Sequence, residues 1–381
     1  MNTANEKGAI GSIDIPMQNF FWMLRPWKDG TMVTIDGNAR FSEMSFEGET
    51  RVKMKPLLEF PKQALDRTLC AFPEHDLIIS KSSRRFHVAD TSTGKTNSFA
   101  PYLTGLHSEQ YPILLDGKKG LVAFQYLAMD DEKQNDFFVV HNYKDGTTTD
   151  ILGETKNESR KIYYPIDSEN IITQTFKGPV SETYLYNWKT GERTDNELTK
   201  TMSGLGLGGL SLEQGVNIDL EKRVLFVQIY PPSHDISHYA RITWDEGYKD
   251  VKVVPLNYLV PKNRWLNDIF LSPCGTWATS YIDGYRGMYN ESLVKRVFFH
   301  LDDLYPNGIS MPIFTEGYDT YHWELGSFVN HPVHGMCFAE KFESKADGKK
   351  KEFLRLYKMK DVDAEITRIL LERANARVLT K

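Results

Sequence analysis

Polar and apolar positions alternate along this chain in short blocks, and the block from 76 to 95 shows the plan most openly. Leu77-Ile78-Ile79 is apolar and β-prone, 80–84 is polar, Arg85-Phe86-His87-Val88 alternates, and Asp90-Thr91-Ser92-Thr93-Gly94 closes a turn. An Asp at the head of such a turn accepts N–H groups further along its own backbone, and a Gly at the end supplies a positive φ. The block therefore reads strand, loop, strand, tight turn.

The plan recurs. A first turn between two apolar runs falls at Lys28-Asp29-Gly30, Pro73-Glu74-His75-Asp76, Asp116-Gly117-Lys118-Lys119-Gly120 and Asp167-Ser168-Glu169-Asn170. It returns at Asp219-Leu220-Glu221-Lys222, Ser272-Pro273-Cys274-Gly275 and His331-Pro332-Val333-His334-Gly335. The steps between copies are about 43 to about 59 residues, near the period of propeller blades. A second turn follows the third strand of each unit, with its glycine at Gly48, Gly94, Gly146, Gly191, Gly247 and Gly308, and a seventh copy without glycine near Lys360-Asp361. Both series give seven units in the same order. One unit is strand A, tight turn, strand B, loop, strand C, tight turn, strand D. The expected fold is all-β: a seven-bladed β-propeller of four-stranded antiparallel blades, with a short C-terminal helix. A pair of β-sandwiches is the rival arrangement.

These turns resemble those of the WD40, YVTN and TolB-like propellers. Ser272-Pro273-Cys274-Gly275 is similar to their A–B turn, and Asp90-Thr91-Ser92-Thr93-Gly94 to their late Asp-x-x-Thr-Gly turn. No copy carries the Gly-His and Trp-Asp signatures of a strict WD40 repeat, so the resemblance implies architecture and leaves activity open. The propeller is expected over 1–360, with 12–24 as an extra strand closing the ring and 361–381 as a helical tail. In that tail Ile366, Ile369, Leu370, Arg373 and Ala374 follow helical spacing, with acids early and bases late.

Composition narrows the partners. The formal charge of −5 over 381 residues argues against nucleic acid as the main partner, which needs a basic surface. The three cysteines, Cys70, Cys274 and Cys337, have no metal or redox spacing and read as reduced residues of a cytoplasmic protein. No signal peptide is visible, and no apolar run approaches the roughly 18 residues of a membrane span.

In a four-stranded meander the A–B and C–D turns share one side, and the B–C and D–A connections share the other. The second set is long and irregular here, and function favours such loops over a rigid scaffold. Its B–C members are 81–84, 127–136, 231–238, 283–292 and 344–351. Its D–A members are 101–111, 199–214, 255–267 and 315–324. Six residues on this side are ligand candidates at a channel mouth: Arg264, Asp268, Tyr285, Arg286, His322 and Glu324. Two guanidinium groups suit a carboxylate, and an imidazole suits proton transfer. The same six residues serve equally as interblade polar contacts.

Other motifs weaken on inspection. His331 and His334 sit in an A–B turn, a strand length of about 17–20 Å from the side that carries His322, so no metal site is expected there. His234 and His238 lie in a loop tip. Gly204-Leu205-Gly206-Leu207-Gly208-Gly209 fits G-x-G-x-x-G in letters, yet a nucleotide site needs a strand before it and a helix after it. Lys345 to Lys351 reads as a solvated hairpin tip. No cofactor is expected. The reading is a non-catalytic interaction module presenting its long-loop side to a protein partner. The alternative is a lyase, hydrolase or sensor acting on a small polar, anionic ligand.

Overall fold

The computed structural model describes residues 10–17, 21–36, 38, 40–59, 68–82, 85–99, 112–130, 133–150, 160–177, 180–204, 218–220, 223–229, 238–256, 264–284, 295–300, 313–314, 326–346 and 349–379. After β1 (Ser12–Pro16) come β2 (Phe21–Pro26), β3 (Met32–Asp36), β4 (Arg40–Glu47) and β5 (Arg51–Glu59), then β6 (Thr68–Phe72), β7 (Leu77–Ser82), β8 (Arg85–Asp90) and β9 (Lys95–Phe99). Next are β10 (Ile113–Asp116), β11 (Leu121–Asp130), β12 (Lys133–Asn142) and β13 (Thr148–Asp150), then β14 (Arg160–Pro165), β15 (Asn170–Lys177), β16 (Val180–Asn187) and β17 (Arg193–Thr194). Helix α1 (Glu197–Gly204) precedes β18 (Ile218–Asp219), β19 (Val224–Ile229), β20 (His238–Thr243) and β21 (Lys252–Leu256). The chain ends with β22 (Arg264–Leu271), β23 (Trp277–Gly284), β24 (Lys295–His300), β25 (Ile313–Phe314), β26 (Gly326–His331), β27 (Gly335–Ala346), β28 (Lys349–Lys358) and α2 (Met359–Leu379).

These strands form seven four-stranded sheets, and every strand pairing is antiparallel. Six sheets are consecutive meanders, from β2–β5 through β22–β25, and the seventh runs β1-β28-β27-β26. The fold is of the propeller type, a series of repeated four-stranded units each too small to bury both of its faces alone.

The chain forms two compact units. Met1–Lys62 with Tyr258–Lys381 holds the sixth, seventh and first sheets and α2; Gln63–Asn257 holds the second to fifth sheets and α1. In the first unit the seventh sheet is apolar on both faces. Cys337, Ala339, Leu354 and Leu356 meet Leu24, Met32 and Met44 of the first sheet, while Phe338 and Tyr357 meet Phe298 of the sixth. This is the β period of two at work: odd residues of β27 face one neighbour and even residues the other. In the second unit, Val122 and Phe124 pack toward the second sheet, and Ala123, Phe138 and Val140 toward Ile171 of the fourth. Tyr164, Ile172 and Leu185 meet Leu225, Ala240 and Ile242 of the fifth sheet, with Leu198 and Met202 of α1 filling in.

The closing strand is shorter than the expected 12–24. Ser12–Pro16 pairs with β28, and Phe21–Pro26 already belongs to the first sheet. The clasp is held by burial of Ile15 and by a bidentate ion pair, Arg355 Nε and Nη2 donating to the Asp14 carboxylate at 2.6 and 2.7 Å. Planar fork-to-carboxylate geometry is the strong form of such a pair. Asp14→Ala should therefore destabilise the protein by about 1–2 kcal/mol, because half-buried Arg355 loses this bidentate bond. Hydrogen exchange should rise first in β1. Unchanged exchange there would remove the ion pair from the clasp.

Helix α2 docks by its first turns. Met359, Val362 and Ile366 are buried against Phe298, Phe328, Phe338 and Tyr357, Trp277 Nε1 donates to Asp363 at 2.9 Å, and Leu371 is exposed. Helix α1 overlaps the start of the 199–214 stretch expected as loop. Asn196 caps it, accepting from Thr199 N at 2.9 Å while Thr199 Oγ1 accepts from Asn196 N.

Candidate functional site

Each sheet has two ends of different character. At the turn end, side-chain oxygens close the C–D turns. Asp90 accepts from Ser92 and Thr93 N–H at 2.9 and 3.1 Å, Asn142 from Lys144 at 3.0 Å, Asn187 from Lys189 and Thr190 at 3.0 Å, and Asp245 from Lys249 and Asp250 at 2.6 and 3.1 Å. Gly48, Gly94, Gly146 and Gly191 supply the left-handed residue; in the fifth copy Tyr248 does so instead of the expected Gly247. Partial burial pushes the Asp90 and Asp116 carboxyls up, but Ser92 and Thr93 donors around Asp90, and the Lys119 N–H and ammonium beside Asp116, outweigh it and hold both below the ordinary value.

The turns also brace one another. Thr91 N donates to Asp76 O at 2.7 Å, Tyr143 Oη to Gly117 O at 3.1 Å, Trp188 Nε1 to Ser168 O at 3.1 Å, and Arg223 pairs with Glu246 at 2.6 Å, each joining the A–B and C–D turns of one sheet. Tyr248 Oη reaches the Asp167 carboxylate of the neighbouring sheet, and burial followed by that carboxylate raises its phenol. In the other unit His331 Nε2 lies 3.1 Å from Glu49 O, bridging the seventh and first sheets.

That histidine also settles its own chemistry. Its Nδ1 accepts from Val333 and His334 N–H at 3.2 Å, so the ring proton sits on Nε2 and is donated to Glu49 O. No lone pair remains on His331 for a metal, although His334 stacks on it at 4.6 Å. Among the described residues, no group of three or more His, Cys, Asp or Glu is placed to hold a metal ion.

The ligand candidates were expected at the opposite end. Arg264 and Asp268 lie inside β22, not ahead of it. Arg264 is in register with Gly284, the residue before Tyr285, so it stands at the B–C end of the sixth sheet. Asp268 falls where the β22–β23 register shifts between Asn267 and Phe270, about 13 Å further along the strand. Tyr285, Arg286, His322 and Glu324 lie outside the described residues, as does His234; His238 opens β20. Gly204 ends α1, so a helix precedes the glycine-rich run where a nucleotide site requires a strand.

What the sequence reading missed at this end is extended structure. Residues 127–136 and 344–351, expected as loops, are mostly strand. β11 and β12 stay in register from Leu121↔Asn142 to Asp130↔Lys133, whereas β10 stops opposite Ala123 and β13 opposite Val139. β27 and β28 stay paired to Ala346↔Lys349, whereas β26 stops opposite Glu340 and β1 opposite Phe353. Two ribbons thus outrun the described strands beside them. The available signal was the apolar run continuing through Tyr126-Leu127-Ala128-Met129 and resuming at Phe137-Phe138.

No family model matches the chain, and neither does any curated protein. Solved structures give low-scoring likenesses. TolB from Acinetobacter baumannii is 13% identical with a TM-score of 0.40, covering 78% of this chain and 63% of that one. The tricorn protease is 12% identical at 0.37, covering 84% and 34%, and the AfRom2 CNH domain is 10% identical at 0.44, covering 91% and 97%. The chain thus spans less than two thirds of the TolB and tricorn chains. The propeller-type fold stands on the sheets themselves.

Proposed function

We propose that this chain is a non-catalytic interaction module that binds a protein partner through the B–C ends of its sheets. One observation carries the reading. At the turn ends of the second to fifth sheets the A–B and C–D turns bond to one another, whereas at the B–C ends two hairpins continue as ribbons past the described strands beside them. Backbone N–H and C=O groups along a strand edge are a template for another chain. A ribbon that outruns its sheet adds edge without adding blade-to-blade core, and a contact surface is the use this suits.

The test is to shorten β11–β12 by joining Tyr126 to Phe137, which are in register, through Asn-Gly, the two-residue hairpin turn. Thermal unfolding should stay within a few degrees, and proteins captured and cross-linked by the intact chain should be lost. An unchanged captured set from the folded variant would overturn the reading.

A second reading places a small anionic ligand at the same end of the sixth sheet. The register of Arg264 with Gly284 favours it, since this brings the start of β22 beside the chain entering Tyr285 and Arg286.

A further inference from the structure

The β27–β28 ribbon breaks the rules that make a ribbon stable, and the breaches are all of charge. Cross-strand partners are the unit of sheet stability, and like charges directly opposite oppose pairing. Yet Glu343 is in register with Glu352, and Lys345 with Lys350. Between 341 and 351 the chain carries five lysines, Lys341, Lys345, Lys349, Lys350 and Lys351, against two acids, Glu343 and Asp347. Lys341 is spoken for, buried at the base of the ribbon and paired with Glu352 at 3.2 Å. That leaves four lysines near the tip of a hairpin in a protein whose net charge is −5. Local choices that work against their own element are expected where a function requires them.

The placement of these lysines selects the partner. By the two-residue period of a strand, Lys349 and Lys351 stand on one face of the ribbon and Lys345 and Lys350 on the other. A flat anionic surface meets one face and only half of the lysines. A duplex needs a wider basic track than this hairpin offers. A polypeptide strand laid along the ribbon edge also alternates its side chains between two faces, and so reaches both pairs. The edge is defined by the register: β1 ends opposite Phe353, with Met17 N donating to Glu352 O at 3.0 Å, and among the described residues no strand pairs with Lys349–Lys351 on that side of β28.

We infer that the outer edge of β28 at Lys349, Lys350 and Lys351 takes up an extended acidic segment of a partner protein by strand addition, with acidic side chains on both faces of the ribbon. The inference rests on the reading of the B–C ends as the contact surface, and it names the partner's chemistry at one of them. Main-chain hydrogen bonds give the segment its register; the lysines give it sign and a fast, salt-dependent approach.

The probe is a fluorescein-labelled peptide of about eight residues, one strand length, rich in glutamate and valine. Its binding to the full chain is followed by anisotropy. Saturable binding should weaken at least tenfold, roughly 1.4 kcal/mol, in K349Q/K350Q/K351Q. It should also weaken as salt rises from about 50 mM to about 300 mM. The same peptide N-methylated at alternate residues should bind at least about tenfold more weakly, since strand addition needs its N–H groups. Thermal unfolding of the triple variant should match that of the parent.

Absence of saturable binding, equal binding by the triple variant, or equal binding of the N-methylated peptide would each overturn the inference. So would lysine-dependent binding of oligothymidylate or of phosphatidylserine vesicles in preference to the peptide, which would assign the ribbon to nucleic acid or membrane. If the peptide fails while shortening β11–β12 still abolishes partner capture, this inference falls and the broader reading stands.

Discussion

Phe338→Ala should destabilise the protein by about 3–5 kcal/mol, the range for emptying a buried aromatic site. The ring is fully buried and touches three others, with centroids at 5.7 Å from Phe270, 5.9 Å from Phe298 and 5.1 Å from Phe328. Its fit depends on a glycine: a Cβ at Gly326 would lie 2.3 Å from Phe338 Cζ. The site is therefore tight, with little slack for collapse after truncation. Met359, Val362 and Ile366 of α2 share the same cluster, so the helix should lose protection in hydrogen exchange along with the sixth and seventh sheets. Urea unfolding gives the magnitude. A loss below about 1 kcal/mol would mean that the blades re-pack around the gap. Gly326→Ala is the complementary probe, since it crowds the ring that Phe338→Ala removes.

Acidification should remove up to about 3 kcal/mol of stability through His141 alone, from linkage across its titration. The imidazole is fully buried, stacked on Phe99 at 3.7 Å, with Nδ1 3.0 Å from Thr148 Oγ1 and a buried Nε2 that has no hydrogen-bond partner. Burial holds its pKa down at about 4, against the pull of Asp145 and the backbone near Thr147. The sign follows from the proton count. The unfolded chain takes up a proton below pH 6.5 that the folded chain refuses until about pH 4. Stability is thus whole above the upper value, falls with pH across that window, and levels off below it. His87 and His331, also held down first by burial, add to the same slope. His141→Phe isolates the His141 share. Its urea midpoint should fall less steeply between those two pH values, and a slope equal to that of the parent would show that the ring is already hydrated.

Much of the architecture was legible because turns are local. Asp90-Thr-Ser-Thr-Gly94 and Asn187-Trp-Lys-Thr-Gly191 fold by bonds spanning two to four residues, and Gly94 and Gly191 sit at positive φ as their spacing implies. Such signals need no knowledge of the rest of the chain. Residues 127–136 and 344–351 were misread for the opposite reason. Polar composition suits a solvated strand as well as a loop, so composition could not tell the two apart there. Tyr248 taking the left-handed position beside Gly247 is a related case: its ring is drawn to Asp167, eighty-one residues away, and that distant bond overrides the local preference. Arg264 and Asp268, expected at a channel mouth, lie within strand A of the sixth sheet, because β22 begins earlier than the apolar run does.

The seventh sheet joins β1 to a strand far along the chain, Asp14 to Arg355 across 341 residues, and this sets an order for biosynthesis. Ile13 and Ile15 are made long before Leu356 and Leu354, the residues they pair with. While the intervening sheets are being made β1 waits for its partner, and a nascent chain halted before Phe353 lacks the strand that receives it. The β1–β28 pairing is therefore a late step, taken after the sheets between them have been synthesised.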